Sequence, residues 1–504
     1  MSLSGSWLID IATTLALFLS AVNYYYFIAF SYWKRKNVPQ LRPYIPFLET
    51  YKVASGKVSF KHGLENSYKM FRDHGFGGSY SFSKPILLLC DPELVKQILT
   101  KDFGSFHDHG FPNDPENDPL SGNLFNVSGE RWKKLRAKLS PTFTSGRIKG
   151  MFPLIHECVE ELQECVRDES KKNSGSVEML NLLMRYCADV IGTCAFGIKC
   201  NCLKNPDAEF HHMGREFLTT SFKSTLQFLV LTILPPMKKY VTTRRLFPKT
   251  TSFFTELMRT TVKYRRENKV VRPDFVQLMM QIADEETDKK FFNEDIMTAQ
   301  AFLFFIAGLD SIATTVGHAL HEMALNTDIQ RDVHAEITNI LAESDGKITY
   351  EAIKKMDLVS RVLDETMRKR SPNAFIMRQQ TAATYQIPGT DVVLEKGTSV
   401  LIPVQAMQID EKYFPNPEKF DPNRFTEEAE SQRHPFTYLP FGEGPRFCIA
   451  ARFAKFELRL CFVELVRRFE FDLAPETDLT LKPDNKNFTN SPISGFWLKV
   501  TERC

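Results

Sequence analysis

From Ile11 to Ser31 the chain runs 21 residues without a charge, about the ~20 that a helix needs to cross a bilayer. Trp7 and Tyr32-Trp33 flank this stretch as interfacial aromatics, and Lys34-Arg35-Lys36 follows at once. Basic residues there hold the carboxyl side in the cytosol. No small-residue cleavage site or Arg-rich transit segment suggests removal or import. Residues 1–36 are therefore expected to be a retained membrane anchor with its basic stop, and residues 37–504 a cytosolic domain. A second apolar stretch, Phe228 to Leu234 followed by Pro235-Pro236-Met237-Lys238-Lys239, fits either another membrane contact or core.

Elsewhere the pattern is mainly helical. A proline-free stretch from Asn293 to Asn326 predicts one long helix, with Asn293 as N-cap and Glu294 and Asp295 in its first turn. Phe453, Phe456, Leu460 and Val463 recur at helical spacing. Short β-branched or aromatic runs predict strands at Ser79–Phe82, Ile86–Leu89, Val392–Leu394 and Ser399–Val404, with turns at Gly77-Gly78, Pro388-Gly389 and Lys396-Gly397. Arg167–Ser176, Arg265–Asp274 and Asp284–Lys290 read as surface loops. The length of 504 residues would allow two to four domains, yet no linker, repeat or low-complexity run divides the chain.

Composition changes this picture little. A net charge of +3 without a basic, aromatic-interleaved run argues against nucleic acid, and ten cysteines show no disulfide-framework spacing. Cys194, Cys200 and Cys202 hint at a metal site, but no fourth ligand is evident. His107-Asp108-His109 reads as a solvated or pocket-lining loop.

Candidate chemistry concentrates at Phe441-Gly-Glu-Gly-Pro-Arg-Phe-Cys-Ile-Ala450. Gly442 and Gly444 free the backbone to turn tightly, so that amide N–H groups can converge on the Cys448 sulfur as an anion nest. The helix that Cys448 is expected to start favours thiolate over thiol. A thiolate so held suits haem iron. Upstream, Glu365-Thr-Met-Arg368 puts a carboxylate and a guanidinium on one helix face, and Pro422-Asn-Arg424-Phe425 lies shortly before the cysteine loop. Trp132 and Arg136 stand one helical turn apart. Within the long helix, Ala307-Gly308-Leu309-Asp310-Ser311 places a glycine where it costs about 1 kcal/mol against alanine, a cost that implies something packing against or bending the helix.

Together these four signatures, in this order, resemble the cytochromes P-450. Phe441, Gly444, Arg446 and Cys448 match that family's Phe-x-x-Gly-x-x-x-Cys-x-Gly loop and its arginine, with Ala450 in place of the last glycine. Ala-Phe-Gly-Ile at 195–198 and Tyr413-Phe-Pro-Asn-Pro-Glu-Lys-Phe-Asp-Pro422 resemble its microsomal, xenobiotic-metabolising branch, abundant in insects. The resemblance implies a mainly α fold with small β-sheets and haem b bound through Cys448. It implies that Trp132, Arg136, Arg378 and Arg446 clamp the propionates, and that Glu365, Arg368 and Arg424 form a buried network, Asn423 replacing its usual glutamate. Asp310 and Ser311 would hold water for proton delivery to O2, serine standing where threonine is usual. The substrate pocket would draw on Phe125, Phe302, Phe305, Ala307, Asn373 and Phe375. The implied activity is insertion of one oxygen atom into a hydrophobic molecule at the endoplasmic-reticulum membrane. Electrons would come from NADPH through an NADPH–cytochrome P-450 reductase, with cytochrome b5 as an optional second donor, because the chain carries no Rossmann or flavin fingerprint. Two other classes remain open, a haem-thiolate isomerase or dehydratase acting on peroxides and a non-catalytic haem or hydrophobic-ligand binder.

Overall fold

The computed structural model describes residues 7–41, 60–81, 83–111, 113–218, 227, 230, 240–485 and 489–503. Except for Val230, the segment 228–239 lies outside the described residues. The helices that position the site are α1 (Trp7–Ala29), α2 (Gly129–Leu139), α3 (Ser145–Lys172), α4 (Met179–Ile191), α5 (Glu209–Leu218), α6 (Pro248–Asn268), α7 (Phe275–Glu285), α8 (Glu294–Leu325), α9 (Asp357–Lys369) and α10 (Ala451–Arg468). The strands are β1 (Phe76–Ser81), β2 (Lys84–Leu89), β3 (Ser176–Glu178), β4 (Ile376–Gln379), β5 (Thr384–Gln386), β6 (Val393–Glu395), β7 (Ser399–Ile402), β8 (Phe469–Leu473) and β9 (Trp497–Glu502). They form a four-stranded sheet of order β1-β2-β7-β4, a three-stranded sheet β3-β9-β8 and the hairpin β5-β6. In the largest sheet only the β2–β7 pairing is parallel.

Helix α8 is the axis of the molecule. Asn293 caps it as expected, its side chain accepting the Ile296 N–H at 3.0 Å. It packs against α4, α6, α9 and α10 and is buried on almost every side, so its apolar length is core rather than membrane span. Helix α1 is also long and apolar enough to cross a bilayer, but none of its residues is buried. Its base is fastened to the body. Phe30 and Trp33 are fully buried, Trp33 Nε1 donates to the Ser79 carbonyl at 3.0 Å, and Lys36 pairs with Glu395 at 2.7 Å. Trp33 is thus a core residue rather than the interfacial aromatic expected.

The same packing overturns the turn expected at Gly77-Gly78, which instead lies inside β1. A Cβ on Gly77 would fall 2.2 Å from Phe71, and one on Gly78 would fall 2.2 Å from Trp33; these glycines admit aromatic rings, a known use of glycine within strands. Pro388-Gly389 and Lys396-Gly397 do turn, with φ of 74° and 91° at the glycines. The expected loops are shorter than predicted, because α3 runs to Lys172, α6 to Asn268 and α7 to Glu285. Arg265 and Asp274, the ends of one such loop, form a buried ion pair.

Candidate active site

Cys448 lies in the turn just before α10, not within its first residues, since the helix begins at Ala451. The turn is built by its glycines. Gly442 and Gly444 take φ of 75° and 77°, and a Cβ on Gly444 would fall 1.9 Å from the Leu99 carbonyl oxygen. The Phe447 N–H donates to Gly444 O at 2.9 Å and the Cys448 N–H to Phe441 O at 3.0 Å, which fixes the sulfur's direction. Burial pushes the Cys448 thiol up, while the Ala450 amide and the Arg136 charge pull it down.

Four cationic or donor groups from separate elements converge near this turn, and they differ in how much bonding capacity they have left. Arg446 stacks its guanidinium 4.2 Å from the Trp132 ring centroid. Its donors are taken by the carbonyls of His107, Leu124, Phe125 and Val127 and by Asp108. Arg446 therefore binds the 107–127 loop to the cysteine turn. Arg378, on β4, is the opposite case. It is buried, donates to the neighbouring Met377 carbonyl at 2.9 Å, and leaves Nε without a hydrogen-bond partner among the described residues. Burial alone draws it down to about 10. A buried guanidinium without a paired acid is costly, so this one calls for an anion. Burial also lowers Arg136, and the Cys448 charge raises it. His109 fills the remaining gap. Its Nδ1 bonds the Phe125 carbonyl at 2.9 Å, its ring stacks on Phe125, and burial, then the charges of Arg378 and Arg446, hold it down to about 3, hence neutral. A thiol, two guanidiniums and an indole fit the iron and propionates of haem, and the buried Arg378, with no acid paired to it among the described residues, supports that fit.

On α8, Ala307 and Ser311 lie on the unburied face of a helix otherwise enclosed. Ser311 Oγ donates to the Ala307 carbonyl at 2.6 Å, a back-bond that tends to bend helices. Gly308 faces α4: a Cβ there would fall 3.1 Å from Ile191 Cδ1, which is the packing reason its position predicts. Asp310 is buried and accepts hydroxyls from Thr314 at 3.1 Å, Ser491 at 2.8 Å and Thr489. Its carboxylate thus engages the 489–491 segment while Ser311 lines the open face.

Of the expected pocket residues, Phe125 is 45 % exposed and Asn373 is exposed, its amide donating to Pro440 O at 3.2 Å. Phe375 is half-buried against the core beside the four-stranded sheet. Phe302 and Phe305 are buried in an aromatic cluster. Phe305 packs edge-on to Phe210 at 4.7 Å, and Phe302 packs edge-on to Phe217 at 5.0 Å. Both rings are enclosed by this cluster.

The network below the site closes as expected. Arg368 grips Glu365 with two bonds, at 2.7 and 2.9 Å, and spends the others on the carbonyls of Gln408 and Pro417. The Asp421 N–H adds a bond at 2.9 Å, and Arg424 Nε approaches at 3.4 Å. Burial raises Glu365, and these partners oppose it. Asn423 accepts from Arg361 at 2.9 Å and so stands outside the network.

A cysteine turn, a group of buried cations beside it and a buried Glu-Arg-Arg network on a mainly helical scaffold fit a haem-thiolate protein. The cytochrome P-450 family model matches residues 59–498, and the chain belongs to that family. It is 39 % identical to cytochrome P-450 9e2 of Blattella germanica, over 100 % of this chain and 99 % of that one. It is also 39 % identical to probable cytochrome P-450 6a14 of Drosophila melanogaster (94 % and 95 %), and 35 % to cytochrome P-450 6k1 of Blattella germanica (98 % and 97 %). Membership makes it a haem-thiolate monooxygenase that draws on O2 and reducing equivalents. His109 lies buried against Phe125, as the pocket-lining alternative for the His107-Asp108-His109 loop expected. Sequence reasoning missed Thr314, Thr489 and Ser491 as partners of Asp310, and no spacing signal pointed to them.

Proposed function

We propose that the chain oxidises hydrophobic small molecules, xenobiotics such as plant toxins or insecticides or endogenous lipids, at the endoplasmic-reticulum membrane. Electrons pass from NADPH through a membrane-bound reductase, with cytochrome b5 as an optional second donor. The observation that carries this reading is the pairing of an under-bonded buried cation, Arg378, with a glycine-built cysteine turn.

Bound haem supplies the activation of O2 at its iron, aided by thiolate donation. The chain supplies the rest. Cys448 would hold the iron, its backbone N–H fixed on the Phe441 carbonyl. Arg378, Arg136 and Trp132 would bind the propionates, and Arg446 would keep the 107–127 loop beside them. Phe302 and Phe305 keep water from the pocket wall, while Phe125, Phe375, Ala307 and Asn373 meet the substrate. Ser311 releases its back-bond to Ala307 to hold water on the open face, and Asp310 takes part in proton delivery through the hydroxyls that bond its carboxylate. Lys134 on α2 is exposed and offers charge to an acidic reductase face, as does Lys133, which lies 3.9 Å from Glu130; Lys138 is occupied by Glu286 at 2.7 Å. Helix α1 serves as the anchor.

The investment in Asp310 favours this reading over a peroxide isomerase, which needs no proton delivery to O2. Purified enzyme with reductase and NADPH, incubated with a panel of lipophilic compounds, should yield products one oxygen heavier. Turnover of a peroxide substrate without reductase, and no NADPH-dependent product, would instead establish the isomerase; haem binding with neither reaction would leave a binder.

A further inference from the structure

At the far end of α4, the chain folds back so that three donor atoms meet. The carboxylate of Asp189 and the sulfurs of Cys200 and Cys202 all lie within 4.8 Å of one another. Cys194, which the sequence groups with these cysteines, does not join them. Gly197, at φ 70°, reverses the chain after α4, and the Ile198 N–H closes back on the Gly192 carbonyl at 3.0 Å. The returning strand is then pinned by Asp189, which accepts the N–H groups of Cys202 at 2.8 Å and Leu203 at 2.9 Å. Asn201, at φ 53°, sits between the two cysteines and turns their side chains to the same side as Asp189. Gly192 makes the seat for one of them, since a Cβ there would fall 2.3 Å from Cys200 Sγ.

We propose that Asp189, Cys200 and Cys202 bind one thiophilic divalent cation of the Zn2+ or Cd2+ class, with water in the fourth position. Two sulfurs select a soft ion over Mg2+ or Ca2+. Zn–S bonds of about 2.3 Å place two tetrahedral sulfurs about 3.8 Å apart, inside the 4.8 Å within which the three donor atoms already lie. Each thiol gives up its proton as the ion enters, leaving a site of one net negative charge. Arg185, one turn earlier on α4, is placed to offset it. It is buried, bonds the Leu203 carbonyl at 3.2 Å, and leaves Nε without a hydrogen-bond partner among the described residues. Asp189 and Cys202 are buried whereas Cys200 is half-buried, so the ion reaches the site past Cys200.

The test uses full-length, haem-loaded protein in detergent, reduced and freed of loose metal by chelator. It is titrated with Cd2+, and the metal retained per haem is counted alongside thiolate-to-metal absorption. Wild type should retain one Cd2+ per haem. Cys200→Ser and Cys202→Ser should each weaken binding by about 100-fold or more, at least the upper end of what losing an outer-shell partner costs. Cys90→Ser, the control at a cysteine beside the four-stranded sheet and away from the cluster, should leave binding unchanged. As a check free of mutation, Zn2+ should raise the thermal-inactivation midpoint of wild type and chelator should reverse the gain. Absence of retained Cd2+ on wild type, undiminished binding by both serine variants, or recovery of Cys200 and Cys202 as a disulfide from alkylated cells would overturn the proposal.

Discussion

Replacing Arg368 by alanine should unfold the protein's lower half more readily than any loss at Arg424, and the structure sets the size of the difference. Arg368 and Glu365 are both fully enclosed. Removing the arginine leaves a buried carboxylate with only the Asp421 amide and the more distant Arg424, a loss of about 3–5 kcal/mol. It also strands the Gln408 and Pro417 carbonyls, at about 1–3 kcal/mol each. Since a native domain holds only about 5–15 kcal/mol in total, Arg368→Ala should yield little haem-containing protein. Arg424 contributes one ion pair at 3.4 Å and one bond to the Asn416 carbonyl at 2.9 Å, and it is partly open to solvent. Its loss should cost about 1–3 kcal/mol, giving protein that folds and holds haem but inactivates at lower temperature. Haem per polypeptide and the inactivation midpoint of the two variants are the measurements. Equal damage from both, or full haem retention by Arg368→Ala, would refute the reasoning.

Other consequences are separable. Burial alone pushes Glu457 up to about 8, so the folded state keeps a proton that the unfolded chain has lost. That stability is full below the ordinary glutamate range and is lost as pH rises through about 8, at up to about 1.4 kcal/mol per pH unit. Glu457→Gln should therefore flatten the fall in inactivation temperature between the ordinary glutamate range and about pH 8, and an unchanged profile would contradict the assignment. Trp33→Ala should cost about 3–5 kcal/mol, whereas deleting residues 1–29 should leave the thermal midpoint of the remaining domain near that of the whole chain. Ser311→Thr should shift NADPH consumption from peroxide toward product, and Ser311→Ala should do the reverse at unchanged haem content; identical coupling in all three proteins would leave proton delivery to Asp310 and bound water.

What the sequence made legible was chemistry carried by contiguous residues. Cys448 with its glycines, Glu365 with Arg368, and the Asn293 cap are local patterns; the cap and the Glu365–Arg368 pair form as the spacing predicts, while Cys448 sits in the turn before its helix rather than starting it. What it concealed depends on partners far along the chain. Asp310 looked like a neighbour of Ser311, but its hydroxyl partners include Thr489 and Ser491. Phe302 and Phe305 share a helix with pocket residues, yet α5 and α6 bring rings that cover them. Gly77 and Gly78 read as a turn because the rings that require them, Phe71 and Trp33, lie outside the strand. Arg446 and Arg378 carry the same guanidinium, and only the surrounding carbonyls reveal that one is saturated and the other is not.

The central claim is that Cys448 presents a thiolate to haem iron. The ferrous–carbon monoxide spectrum of the purified protein, recorded for wild type and Cys448→Ala, tests it most directly. Wild type should show the strongly red-shifted Soret band of thiolate ligation and Cys448→Ala should lack it. A variant that retains that band, or a wild type that holds haem without it, would contradict the account.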